Sequence, residues 1–263
     1  MARLRIGLML ALLVPVTLTL MGVQALALRF GWRFAHRLPM YFHRFVCRMF
    51  RVGIRTQGGP AAARPLLVIS NHTSWLDITV ISTLAPVSFI AKREVASWPL
   101  FGTFARLQRS IFIDRTRRKG AAEANREIAE RLAGGDAIIL FAEGTTSDGN
   151  RVLPFRSSLV GAARDAVAEA GHTGHVLVQT LTVAYVARNG LPIGRRERPG
   201  VAWYGDMDLM PHLGSHLMGG PLDVVCVWGE PMALDAGSDR KAVTRAAENE
   251  VRATYRRLVT GRG

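Results

Sequence analysis

Cysteine is nearly absent from this sequence: Cys47 and Cys226 are the only two, far apart and without a CxxC. So sparse a set supports neither a disulfide framework nor a cysteine zinc site, and it fits a reducing compartment. Other absences are as informative. No Gly-x-Ser-x-Gly occurs, which removes the nucleophile elbow of serine hydrolases and thioesterases. No P-loop and no dinucleotide fingerprint is present. His212-x-x-x-His216 and His172-x-x-His175 have ligand-like spacing, but no HExxH accompanies them and Gly and Pro residues lie close by, so no metal is expected. There is no internal repeat and no low-complexity tract. Acidic residues are also scarce, 20 against 34 Lys+Arg, for a net charge of +14. That surplus calls for an anionic partner: nucleic acid, acidic lipid headgroups or a phosphorylated substrate.

The N-terminus chooses among them. Ile6 to Leu28 is an uncharged, apolar run bounded by Arg3, Arg5 and Arg29. It is long enough to cross a bilayer core as a helix, and Pro15 would kink it rather than forbid it. The rival is a signal peptide cleaved near Ala25-Leu26-Ala27, but the run exceeds the roughly 7–15 apolar residues of such a peptide. Arg29, Arg33, Arg37, Arg44 and Arg48 follow at helical spacing, with Phe30, Trp32, Phe34, Tyr41, Phe42, Phe45 and Phe50 between them. A basic amphipathic helix over 29–50, divided near Pro39, would lie among headgroups with its rings at the acyl boundary. Membrane lipids are the expected partner and nucleic acid is not. Residues 1–57 read as a membrane anchor and 58–263 as the main domain, entered through Gly58-Gly59-Pro60. The arginine excess beyond Leu28 predicts an inner-membrane protein whose main domain faces the cytoplasm.

Beyond the linker, strand-like runs at Leu66–Ser70, Val87–Ala91, Ile111–Ile113, Ala137–Phe141, Val176–Ala184 and Val224–Trp228 alternate with helical patterns. Helices are predicted at Ser74–Leu84, Gly120–Ala133, Ser158–Ala170 and Arg240–Leu258. Alternation of this kind predicts an α/β fold, a mostly parallel sheet flanked by helices, with ligands beyond the carboxyl ends of the strands.

Polar clusters fall at those ends. Asn71-His72-Thr73-Ser74-Trp75-Leu76-Asp77 directly follows Leu66-Leu67-Val68-Ile69. On one helix His72 and Asp77 would diverge, but they meet if His72 lies in the turn and Asp77 in the first helical turn. The carboxylate would then fix the imidazole tautomer and leave the other nitrogen as a general base. Ser74-x-x-Asp77 also reads as a capping box, and both readings can hold together. Phe112-Ile113-Asp114-Arg115 is a second strand end, and Phe141-Ala142-Glu143-Gly144-Thr145 a third, continuing through Ser147-Asp148-Gly149-Asn150-Arg151. Glycine there permits close backbone approach to a ligand, Glu143 and Thr145 offer hydrogen bonds, and the arginines can meet an anion.

In this order the blocks resemble those of the 1-acylglycerol-3-phosphate acyltransferase family. His72 to Asp77 is similar to its His-x-x-x-x-Asp motif, and Phe141-Ala142-Glu143-Gly144-Thr145 to its Phe-Pro-Glu-Gly-Thr-Arg block. Phe89-Ile90-Ala91-Lys92 and Gly229-Glu230-Pro231 fit as well, and the likeness covers roughly residues 60 to 235. It implies a glycerolipid acyltransferase-like fold, an acyl carrier protein or coenzyme A thioester as co-substrate, and no bound cofactor. It further implies His72 as base, Asp77 as its partner, Arg115, Glu143, Gly144 and Thr145 at the acceptor lipid, and Lys92 as a phosphate contact. Two departures stand out. Thr146 replaces an arginine at the acceptor phosphate, and Val178-Gln179-Thr180-Leu181 lacks the proline of the fourth block. Arg151 or Arg156 could supply the missing charge. The Thr146–Asn150 stretch with Trp203-Tyr204-Gly205-Asp206 resembles a subgroup that includes lyso-ornithine lipid acyltransferases, whose acceptor carries no phosphate. The resulting expectation is acyl transfer to the free hydroxyl of 1-acylglycerol-3-phosphate, with lyso-ornithine lipid as the alternative acceptor.

Overall fold

A run that is apolar at successive positions, such as Leu66 to Ile69, needs cover on both faces once it is a strand. The computed structural model describes residues 2–113, 126–132, 134–161, 176–234 and 238–261 and places that run at the centre. The strands are β1 (Val52–Gln57), β2 (Leu66–Ser70), β3 (Ser88–Lys92), β4 (Ile111–Ile113), β5 (Ala137–Phe141), β6 (Val176–Arg188), β7 (Leu191–Pro192), β8 (Leu222–Trp228) and β9 (Met232–Leu234). They form one sheet in the order β1-β8-β6-β2-β5-β3-β4, with β7 and β9 beside β6. β2 pairs in parallel with both β5 and β6 and is buried along its whole length. Among the described residues, only the pairings of β6 with β7, β8 and β9 are antiparallel. The fold is therefore the mostly parallel α/β arrangement expected.

Alternation along the strands divides the core. Leu67, Ile69, Ile138 and Leu140 face one side with Ala247, Val251 and Tyr255 of the last helix, Arg240–Thr260. Leu66, Val68, Ile139 and Phe141 face the other with Leu76, Val80 and Ile81 of α3 (Leu76–Leu84). Each such side chain contributes about 1.5–3 kcal/mol on burial. The parallel strands β6, β2, β5, β3 and β4 carry their carboxyl ends to one edge, whereas β1 and β8 run the other way. Ser70 pairs with Phe141 and Ser88 with Ile138, so the His72 turn, the Glu143 turn and Lys92 leave the sheet on the same side.

The N-terminal segment departs from expectation. α1 (Ala2–Arg29) is one helix through Pro15, but 29–50 is not a single amphipathic helix. The chain turns at Gly31 (φ 66), makes a short 3-10 turn at Arg33–His36, and restarts as α2 (Leu38–Met49) with Pro39 in its first turn. Glycine supplies the left-handed residue that ends α1, and proline suits a helix start, where its missing N–H is no loss. Arg29, Arg33 and Arg37 thus sit on separate elements, while Arg44 and Arg48 share α2. Four further elements had no clear periodicity to announce them: β1, β9, α4 (Phe101–Leu107) and α5 (Leu209–Met218). The last helix is α6 (Arg240–Thr260). Of the helices predicted at 120–133 and 158–170, the described parts at 126–132 and 157–161 are helical, and the rest lies outside the described residues.

Candidate active site

The turn after β2 holds His72 by its backbone on both sides. Its N–H donates to Glu143 Oε1 at 2.7 Å, and its carbonyl accepts from Ser147 N–H at 2.9 Å. The ring then meets Asp77: Nδ1 lies 2.8 Å from Oδ2. That oxygen also accepts from Thr73 N–H at 2.7 Å and Ser74 N–H at 2.9 Å. The Ser74 bond is one half of the capping box; the other half is not formed, since Asp77 N–H donates to the Ser74 carbonyl at 3.0 Å and Ser74 Oγ faces the Leu76 N–H at 3.5 Å. The helix start therefore places the carboxylate, and the carboxylate holds the ring. Asp77 is fully buried, whereas the His72 side chain is 17% exposed.

Because an ionised carboxylate only accepts, Nδ1 carries the proton and Nε2 keeps its lone pair. The imidazole lies flat on Phe141, ring centroids 3.8 Å apart at 11°, and Phe141 stacks in turn on Phe89. Asp77 has one further donor that nothing in the local sequence announced. Tyr185 Oη, on β6, donates to Oδ1 at 2.5 Å. Tyr185 is buried beside that carboxylate, and both burial and the Asp77 charge push its hydroxyl well above its ordinary value, so it stays a donor. Asn71 ties the same strand to the turn, exchanging side-chain hydrogen bonds of 2.9 Å with the Val183 backbone. These contacts span more than a hundred residues of chain, beyond the reach of any local pattern.

Glu143 was expected at the acceptor. It is buried, and its second oxygen accepts from Leu153 N–H at 2.8 Å, so both oxygens are engaged by backbone. Burial pushes its carboxyl up to about 8, against the pull of those two N–H groups. Gly144 follows at φ 70, which suits the tight turn out of β5. The loop beyond is fastened by α6: Glu248 accepts from Phe155 N–H at 2.9 Å, and Tyr255 donates to the Gly149 carbonyl at 2.6 Å. Gly149 (φ 76) lies so close to the motif that a β-carbon there would be 3.4 Å from Thr73 Cγ2.

Lys92, Thr145 and Arg151 are exposed on the same edge of the sheet. Arg115 lies outside the described residues, as do His172 and His175. His212 Nδ1 accepts the Trp75 indole N–H at 3.0 Å, so its spacing to His216 serves packing around Trp75 and Phe50. Gln179, in the block lacking its proline, binds Ala61 N–H and the Gly59 and Gly229 carbonyls, fastening the entry linker to the Gly229-Glu230-Pro231 turn. An open apolar cleft lies between α1, α2 and α4, lined by Leu20, Met21, Phe42, Phe104 and Leu107 among others.

With this geometry in view, comparisons with known proteins are specific. Residues 53–185 match the acyltransferase family. A lyso-ornithine lipid O-acyltransferase of Brucella abortus (strain 2308) is 50% identical over 98% of this chain and 96% of its own length. A protein of the same description from Rhizobium meliloti (strain 1021) is 42% identical over 98% of this chain and 88% of its own length. Among solved structures, the 1-acyl-sn-glycerophosphate acyltransferase PlsC of Thermotoga maritima superposes with a TM-score of 0.63 at 22% identity, over 98% of both chains.

Proposed function

Given that this chain belongs to the 1-acylglycerol-3-phosphate acyltransferase family, in the part that includes lyso-ornithine lipid O-acyltransferases, we propose that it moves a fatty acyl group from a thioester to the free hydroxyl of lyso-ornithine lipid. Acyl transfer is the family's chemistry and the acceptor is the inference. The sequence motifs alone put 1-acylglycerol-3-phosphate first. The balance moves to the ornithine acceptor because relatives of that description match nearly the whole chain, at 50% and 42% identity. Thr146, in place of an arginine, points the same way, since an acceptor without phosphate has no use for that cation.

The His72–Asp77 pair carries the mechanistic reading. His72 Nε2 accepts the proton of the acceptor hydroxyl as that oxygen attacks the thioester carbonyl. The C–S bond then breaks, and the thiolate leaves to take up a proton. Asp77 holds the tautomer and balances the imidazolium. General base catalysis of this kind is worth about 10²–10⁴-fold, so positioning two amphiphiles together supplies much of the rest. In this reading Glu143 positions His72 rather than touching substrate, while Lys92, Thr145, Arg151 and Arg115 remain for the acceptor and the anionic part of the carrier. The donor is an acyl carrier protein or coenzyme A thioester.

The protein associates with membranes through α1, a helix whose Leu4–Arg29 stretch is long and apolar enough to cross one. We infer that it lies in one leaflet instead. Arg5 donates to the Leu217 carbonyl at 2.8 Å and Gln24 to the Leu107 carbonyl at 3.0 Å, so the same domain is bound near both ends of the helix. Those anchor points are about 28 Å apart along a helix rising about 1.5 Å per residue, close to a bilayer's hydrocarbon thickness of about 30 Å. An upright α1 would carry the domain's polar surface into lipid. In this reading the domain lies on the cytoplasmic side of the inner membrane, which the arginines near both ends of the helix support. Assaying transfer to lyso-ornithine lipid and to 1-acylglycerol-3-phosphate, with wild type and His72→Ala, tests acceptor and base together.

A further inference from the structure

We propose that the turn Trp98-Pro99-Leu100 is a second membrane-inserted element, immersed in the acyl layer of the leaflet at the mouth of the His72 site. The proposal rests on the reading of that site given above. Leu100 is 52% exposed and Trp98 40% exposed, so two large apolar side chains project side by side. Leu100 also adopts φ 62, a left-handed conformation that residues with a β-carbon avoid. A strained backbone that pushes an apolar side chain outward is destabilising twice over in water and only once in lipid.

The turn is built rather than loose. Gly102 packs so tightly that a β-carbon would lie 2.4 Å from the Ala96 carbonyl, and Arg106 donates to that carbonyl at 2.6 Å. Its place is continuous with the membrane helix. Leu100 precedes Phe104 by one turn of α4, and Phe104 and Leu107 line the cleft whose other wall is Thr17 to Gln24 of α1. If α1 lies at acyl depth, the tip of α4 beside it does too. The turn is joined to the site as well. Trp98 meets Trp203 edge-on at 6.2 Å, and Trp203 N–H donates at 2.9 Å to the carbonyl of Thr73, the residue after His72. Met207, 38% exposed, extends the apolar rim, its carbonyl accepting the Trp203 indole N–H at 2.9 Å. Lys92, Arg93 and Arg106 stand exposed around the turn and suit lipid phosphates, with Glu94 the acidic residue among them. Indole rings at a headgroup boundary and a leucine below them fit a bilayer's layered polarity. A lysolipid would then reach His72 sideways from the leaflet, its hydroxyl never leaving the interface.

The test is depth, read without activity. Cys47 and Cys226 are buried, so a single added cysteine can be labelled alone in the full-length protein. An environment-sensitive fluorophore is placed at Leu100→Cys or, as a second probe in case that strained turn does not tolerate labelling, at Met207→Cys. Leu8→Cys on α1 and Ala246→Cys on the far face of α6 serve as references. The protein is reconstituted into phospholipid vesicles with nitroxide-bearing acyl chains. The expected result is a blue shift and quenching at Leu100 and Met207 that approach those at Leu8 and exceed those at Ala246 several-fold. Emission and quenching equal to those at Ala246 would overturn the proposal and leave the turn as a surface for a soluble partner such as the acyl carrier. Either result leaves the role of His72 untouched.

Discussion

At the level of single residues, the site turns on how completely Asp77 is used. Its Oδ2 accepts from the His72 ring and the Thr73 and Ser74 amides, and its Oδ1 from Tyr185. Tyr185→Phe leaves Oδ1 buried without a donor, which should destabilise the fold by about 1–3 kcal/mol. Because the ring's support is weakened and no substrate contact is lost, kcat should fall about tenfold with KM little changed; steady-state kinetics on vesicles or mixed micelles would read the split. Glu143 makes a separate prediction with a definite sign. Its carboxyl is raised from 4.5 to about 8, so folding favours its protonated form. The resulting stability is present below pH 4.5 and is lost as pH rises through about 8. Relative to Glu143→Gln, the wild type should therefore lose stability across that window in denaturant titrations. A constant difference would place the carboxyl in its ordinary range. The His72–Asp77 pair was legible in the sequence because five residues suffice to bring a turn and the following helix together. Tyr185 was not, because only strand β6 carries it there. Glu143 was legible as part of a motif but not in its task, since the backbone N–H groups it binds leave no mark in sequence.

Among the elements, apolar strands announced themselves and short or half-exposed ones did not. β2, β4 and β5 fall where their apolar runs do. β1, with the burial of only Val52 complete, reads as an ordinary loop. The segment 29–50 shows how arginine spacing alone misleads: the helical periodicity is real, but Gly31 and Pro39 end one helix and start another. α6 was legible as a helix through its apolar stripe. The polar side of that stripe does a second task, holding the 147–155 loop through Glu248 and Tyr255. Tyr255→Phe should lower activity several-fold while leaving a folded protein, measurable as initial rates beside thermal unfolding. The placement of α1 in one leaflet predicts that single cysteines replacing Leu4 and Trp32 react with a membrane-impermeant reagent from the cytoplasmic side alike. Reaction of Leu4→Cys only from the opposite side would mean that α1 spans.

For the molecule as a whole, one parallel sheet edge gathers the His72 turn, the Glu143 turn and Lys92, while α1 and α4 bring an apolar surface alongside. A net charge of +14 on a chain with an apolar helix suits an enzyme whose lipid and thioester carrier both reach it through anionic surfaces. Fold class and chemistry were readable from ordered motifs. The acceptor was not, because an arginine replaced by Thr146 tells what is missing rather than what is bound. The most direct measurement is acyl transfer by membranes containing wild type or His72→Ala, given labelled acyl thioester and either lyso-ornithine lipid or 1-acylglycerol-3-phosphate. The wild type should make ornithine lipid, His72→Ala at least a hundredfold less, and neither much phosphatidic acid. Undiminished ornithine lipid synthesis by His72→Ala would contradict the assigned base, and phosphatidic acid as the main wild-type product would contradict the assigned acceptor.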